Sequence, residues 1–207
     1  MRPEMSRQEY GLNNKDTKNM AVYTNTDSNT NTAMKAKTAN GYDLLLGGLF
    51  MALALVFPVV FHALNLGSAF LPMFYPMIAA GFLVALPAAL VVGVMSPLVS
   101  AVVTGMPPFY PPMVFIMMAE GLVLTAIPAL LYQRLKINPW ITTAATMVVD
   151  RLLLLVLVLA FSRLLQLPEG ILTAAALIEG IPGTALILVV IPPLVRQIER
   201  KIRLTHI

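Results

Sequence analysis

The 207-residue chain contains no cysteine, which excludes a disulfide framework, a thiolate metal site, an iron–sulfur cluster and a cysteine nucleophile. Its two histidines, His62 and His206, fall short of the three or four ligands that zinc normally takes. Charge is scarce too: 12% of residues are charged, about half the share of an ordinary soluble domain. Residues 1–40 hold ten charged side chains, six basic and four acidic, and residues 41–207 hold fourteen. Between Asp43 and Glu120 lie 76 residues without a single Asp, Glu, Lys or Arg. A soluble fold of this size cannot cover so much apolar chain, whereas a bilayer can. The phosphate-cradling Gly-x-x-x-x-Gly-Lys-Ser/Thr, the Gly-x-Ser-x-Gly elbow and His-Glu-x-x-His are all missing, so no ATPase or hydrolase signature is present. The net charge of +4 comes mainly from tail and loop residues, which fits a membrane surface and not nucleic acid.

What is there reads as an all-α, polytopic membrane protein. Residues 1–41 are rich in Asn, Thr, Ser and Lys, with a low-complexity stretch at Thr24–Thr32. They bury too little to offset their ordering entropy and are expected to form a disordered cytoplasmic tail, with Met20 and Met34 as alternative starts. The first apolar run is too long for a signal-peptide core and should stay in the mature chain. Residues 42–203 form the membrane domain, and 204–207 are its C-terminal end. At about 20 residues per crossing, six spans are expected: 43–64, 69–86, 87–105, 111–133, 140–166 and 171–195. The charge-free stretch 69–106 would make a helix of about 57 Å, so it must fold back, most plausibly near Leu86–Pro87. Arg134 and Lys136 follow span four, and Arg196, Arg200, Lys201 and Arg203 follow span six. Placing both clusters inside puts the N- and C-termini in the cytoplasm, with 65–68, 106–110 and 167–170 as outer loops.

The loop from Thr104 to Pro112 carries four prolines around Phe109 and Tyr110. It is either a rigid reversal between helices or a preformed lid that presents the two aromatics over an outward cavity. Glu120, Asp150, Arg151 and Glu179 lie at membrane depth, where each is costly unless buried in protein or water. Asp150 and Arg151 point about 100° apart on a helix, so Arg151 is expected to seek Glu120 or Glu179 on another one. Such charges either lock the bundle or line a polar cavity that orients a solute. Met113 and Met117 share a helix face with Glu120, as core packing or as an adaptable wall for a partly apolar ligand. His62 and Arg163 lie nearer the outer ends. Ala176, Gly180 and Gly183 make a small-residue stripe beside Glu179, and Pro182 could kink that span. Gly48 and Ala52 form a small-x-x-x-small pair that suits docking of another transmembrane helix.

Three stretches carry a resemblance: Phe61–Met73, Ser96-Pro97 with Thr104-Gly-Met-Pro-Pro108, and Met117-Met-Ala-Glu-Gly121 running on to Tyr132. Over residues 42–202 the chain resembles the substrate-binding S component of energy-coupling factor transporters, in a subgroup with the Thr-Gly-Met-Pro-Pro loop. The resemblance implies a six-helix bundle in the bacterial plasma membrane that captures a vitamin or related micronutrient at the outer face. It further implies a separate transmembrane coupling subunit and two cytoplasmic ATPases, so that ATP is used by partners and the chain itself has no cofactor and is not an enzyme. The family's Ala-x-x-x-Ala docking motif corresponds here to Gly48-x-x-x-Ala52. Candidate substrate contacts are His62, Phe109, Tyr110, Met113, Met117, Glu120, Arg151, Arg163 and Glu179. The two arginines suit a carboxylate such as a pantothenate-like compound, while the acids at depth could equally meet a cation. A second function class is a self-sufficient ion-coupled carrier, or an intramembrane enzyme using Glu120, Asp150 and Glu179 as acid–base groups.

Overall fold

The computed structural model describes residues 40–64, 70–109, 113–165 and 180–205, and the apolar runs within them fold into helices with no strand. These are α1 (Gly41–Ala63), α2 (Phe74–Leu83), α3 (Leu86–Thr104), α4 (Met113–Pro128), α5 (Pro139–Leu165) and α6 (Ile181–Thr205). A π-helical segment, Ala129–Arg134, prolongs α4. Pro128 has no N–H to give the carbonyl four residues back, and the ladder widens directly after it. Five helices are long and apolar enough to cross a membrane, as a multi-pass membrane protein requires. The predicted tail lies outside the described residues.

The second expected span is shorter than the sequence suggests. Of residues 69–86 only Phe74–Leu83 form α2, ten residues or about 15 Å, half the hydrocarbon thickness. Its start is set by Leu71–Pro72: the α region is disfavoured before proline, and Leu71 adopts φ 50°. Its end is the reversal itself, at Val84–Ala85, two residues before the Leu86–Pro87 expectation. Pro87 falls in the first turn of α3, where a missing N–H leaves nothing unsatisfied. Of the last expected span, 171–195, residues 171–179 lie outside the described residues. Helix α6 begins at Ile181, with Pro182 in its first turn, and it runs on past Arg196 to Thr205.

Helix α2 is the centre of the fold, with eight of its ten residues buried. Met77, Ile78 and Phe82 pack with Leu124 of α4, Met147 of α5, and Ile187 and Ile191 of α6. Glycines let backbones meet around it. A Cβ on Gly81 would lie 2.6 Å from the Thr125 carbonyl oxygen, and Gly93 and Gly121 each abut the other's backbone so closely that neither accepts a side chain. Buried hydroxyls bond back along their own helices: Thr125 to the Gly121 carbonyl, Thr143 to Pro139 and Thr146 to Thr142, each at 2.8 Å.

The end of the bundle where α1 begins is fastened by two polar side chains. Asp43 is buried, and its carboxylate accepts the Asn40 and Ala85 N–H groups, both at 3.1 Å. Gln133 Nε2 donates to the Gly81 and Val84 carbonyls, both at 2.7 Å. The α2–α3 reversal therefore has its exposed donors and acceptors taken from α1 and from the π segment. Helix α1 otherwise packs lightly. Gly47 faces Ala88 and Val92 of α3, while Leu45, Gly48, Leu49, Ala52 and Val56 are exposed.

Candidate functional site

At the opposite end, where α1 and α3 finish and α2 and α4 start, the bundle is hollow. A cavity of about 610 Å³ opens there. Its upper wall is made by Pro58 and His62 of α1, the Leu71–Phe74 entry into α2, and Ser100, Thr104 and Met106–Pro108. Its depth is reached by Met113, Ile116, Met117 and Glu120 of α4 with Arg151 and Leu154 of α5. The volume falls in the range of small-molecule pockets, and the lining is mostly apolar with a few polar groups, as such pockets usually are.

The Thr-Gly-Met-Pro-Pro stretch is a fastened wall. Gly105 closes α3 in the left-handed conformation, φ 73°, and its N–H bonds the Ala101 carbonyl at 3.0 Å. Ser100 Oγ donates to the Met106 carbonyl at 2.7 Å, and the Met106 N–H reaches Thr104 Oγ1 at 3.3 Å. The two prolines that follow carry no N–H to satisfy, and the Val114 N–H reaches the Pro108 carbonyl at 3.3 Å. Thus each part of the motif has a role: hydroxyls to tie the loop, glycine to turn it, prolines to stiffen it. Met106 and the prolines line the cavity, whereas Phe109 is 51% exposed and does not.

Arg151 corrects the sequence expectation. Its guanidinium does not reach for Glu120; it folds onto its chain neighbour Asp150, with Nη2 at 2.8 Å and Nε at 3.1 Å from the same Oδ2. The 100° between neighbouring positions describes Cβ directions, and the long arginine side chain swings through that angle. Asp150, fully buried, needs such a partner most. The same guanidinium lies 5.7 Å from the centre of the Phe74 ring, a cation–π contact between α5 and α2.

Glu120 is left differently. Only 4% exposed, it lines the cavity, and its Oε1 has no hydrogen-bond partner among the described residues. Of the candidates named from sequence, the cavity therefore gathers His62, Met113, Met117, Glu120 and Arg151. Met113 and Met117 line the cavity and also pack against apolar clusters. Arg163 is exposed near the end of α5 and is not among the lining residues. Tyr110 and Glu179 lie outside the described residues. Sequence reasoning passed over Ser100 as a lining residue, although its spacing of four from Thr104 ahead of a glycine and two prolines marks it as a loop tie. It also passed over Leu71–Phe74, which carry no chemical signal at all. Among the described residues, no group of His, Cys, Asp and Glu is arranged to hold a metal.

Family models, curated proteins and solved structures yield no match to this chain.

Proposed function

We propose that this chain is the substrate-binding membrane subunit of an ATP-driven importer of the energy-coupling factor type. It takes up a vitamin or related micronutrient at the outer face and delivers it inward with a coupling subunit and two cytoplasmic ATPases. The observation that carries the reading is the cavity: one end of the bundle is hollow, walled by a stiff tied loop, and has ionisable groups at its depth. An ordered wall loses little entropy when a solute settles against it. The absence of a phosphate-cradling motif from the sequence fits a chain that relies on partners for energy.

In this reading the protein sits in the bacterial plasma membrane with both termini cytoplasmic, and α2 belongs to the sixth crossing. The cavity then faces outward, and the fastened end around Asp43 and Gln133 faces the cytoplasm. The exposed Gly48 and Ala52, with nothing within 4 Å of a Cβ built on Gly48, form the contact for the coupling subunit. Mass spectrometry of small molecules that co-purify with the chain, followed by thermal-shift titration without nucleotide, tests the reading. A vitamin-sized solute that raises the melting temperature supports it. Failure of a full micronutrient screen, together with uptake that persists without the partner ATPases, defeats it.

A further inference from the structure

The ionisable groups around the bottom of the cavity do not pair off evenly. Two carboxylates, Glu120 and Asp150, stand against one guanidinium, and Asp150 already holds that guanidinium through two hydrogen bonds to Oδ2. Arg151 is therefore a neutralised cation whose position is further fixed against Phe74. It is poorly placed to pull in an anion, because a carboxylate ligand would have to share the guanidinium with Asp150 and meet Glu120 besides. Four buried side-chain atoms lack a partner among the described residues, Tyr75 OH, Glu120 Oε1, Thr142 Oγ1 and Asp150 Oδ1, and of these residues only Glu120, 4% exposed, lines the cavity. A buried carboxylate oxygen without a donor is strongly unfavourable, and water can meet it only until a solute displaces that water.

We propose that Glu120 is the specificity-determining residue of the cavity and selects solutes that carry a cationic N–H group, an ammonium or protonated ring nitrogen, on a mostly apolar body. The inference rests on the solute-binding reading above and adds the sign of the ligand's charge. The apolar body follows from the wall: Met113, Met117 and Ile116 lie on the same helix as Glu120, and the two thioethers can adapt to a flat or irregular ring. The ammonium supplies the donor that Glu120 lacks, in surroundings of low dielectric where a charge-assisted hydrogen bond is strong. The same surroundings penalise an anion held close to Glu120.

The test is a charge series on fixed rings, measured by thermal shift and calorimetric titration of the full chain in detergent. Tryptamine, tryptophol and indole-3-acetate form one series; pyridoxamine, pyridoxine and 4-pyridoxate form the other. The ammonium member of at least one series should bind about tenfold or more tighter than its carboxylate member. Glu120→Gln, nearly the same shape without the charge, should bring the members of that series to within about threefold of one another. Carboxylate members that bind as tightly as the ammonium ones, or a preference for ammonium that survives Glu120→Gln, would overturn the assignment while leaving solute binding intact. If Glu120→Gln does not yield folded protein, the ranking on the unaltered chain decides. Absence of binding by either series and by the wider micronutrient screen would sink both the assignment and the solute-binding reading.

Discussion

At the end where α1 begins, Asp43 and Gln133 supply partners to four backbone groups. At the other end, the cavity separates the helices and Glu120 keeps an oxygen without a partner among the described residues. Both ends are made from apolar helices with few ionisable side chains. The difference lies in what the acids meet: Asp43 finds backbone donors inside the chain, whereas the Glu120 Oε1 faces the cavity without one among the described residues. Between them, the Gly81, Gly93 and Gly121 contacts bring α2, α3 and α4 together and set how far the hollow end can spread.

The largest effect should come from the middle layer. Gly121→Leu drives a side chain into the Gly93 backbone, an obstacle that cannot rotate away, so the loss should exceed the ~1–3 kcal/mol of ordinary overpacking. Size-exclusion chromatography should then show no monodisperse protein. A well-folded variant would mean that α3 and α4 can separate, and that the glycines do not set the cavity's width.

Next comes the ion pair at depth. Arg151→Met strands the fully buried Asp150, and the melting temperature of the solute-free chain should fall by the equivalent of about 3–5 kcal/mol. The double variant Asp150→Leu with Arg151→Met should recover much of it. If the single variant melts like the unaltered chain, Arg151 is no structural lock and the contrast with Glu120 collapses.

The sharpest comparison is between Asp43 and Glu120, two buried acids in opposite circumstances. Asp43→Ala leaves the Ala85 and Asn40 N–H groups without their acceptor and should cost about 1–3 kcal/mol of stability. Solute affinity should stay within about twofold, because Asp43 is not among the cavity-lining residues. Removal of Glu120 should do the reverse. A smaller contrast lies one residue apart on α1. Gly48→Leu points into open space and should change the isolated chain by no more than about 0.5 kcal/mol, while uptake with partners present drops. Gly47→Leu meets Val92 and Ala88 and should destabilise the chain by itself. Equal behaviour of the two would remove the exposed face as a docking surface.

Sequence alone was enough for the helical class and for several apolar helices of membrane-crossing length. A run of 76 residues without charge admits few environments other than a bilayer, and helix is the form that satisfies its own backbone there. The fold-back inside 69–106 followed from length, and proline placed it within a few residues. Pro72 shortened α2 because proline acts on the residue just before it, a local effect that hydrophobicity alone does not register. The Thr-Gly-Met-Pro-Pro loop was legible as stiff, but not as the wall tied by Ser100, since that bond depends on how α3 ends. Which acid is paired was beyond the sequence altogether. Asp43, Glu120 and Asp150 are three carboxylates at apolar positions, and composition treats them alike. Only the tertiary structure brings Ala85 to the first, leaves the second facing a cavity and turns Arg151 back onto the third, because a charge in an apolar interior is defined by the few groups within hydrogen-bond reach, and those come from distant parts of the chain or from a side-chain rotation that spacing does not encode.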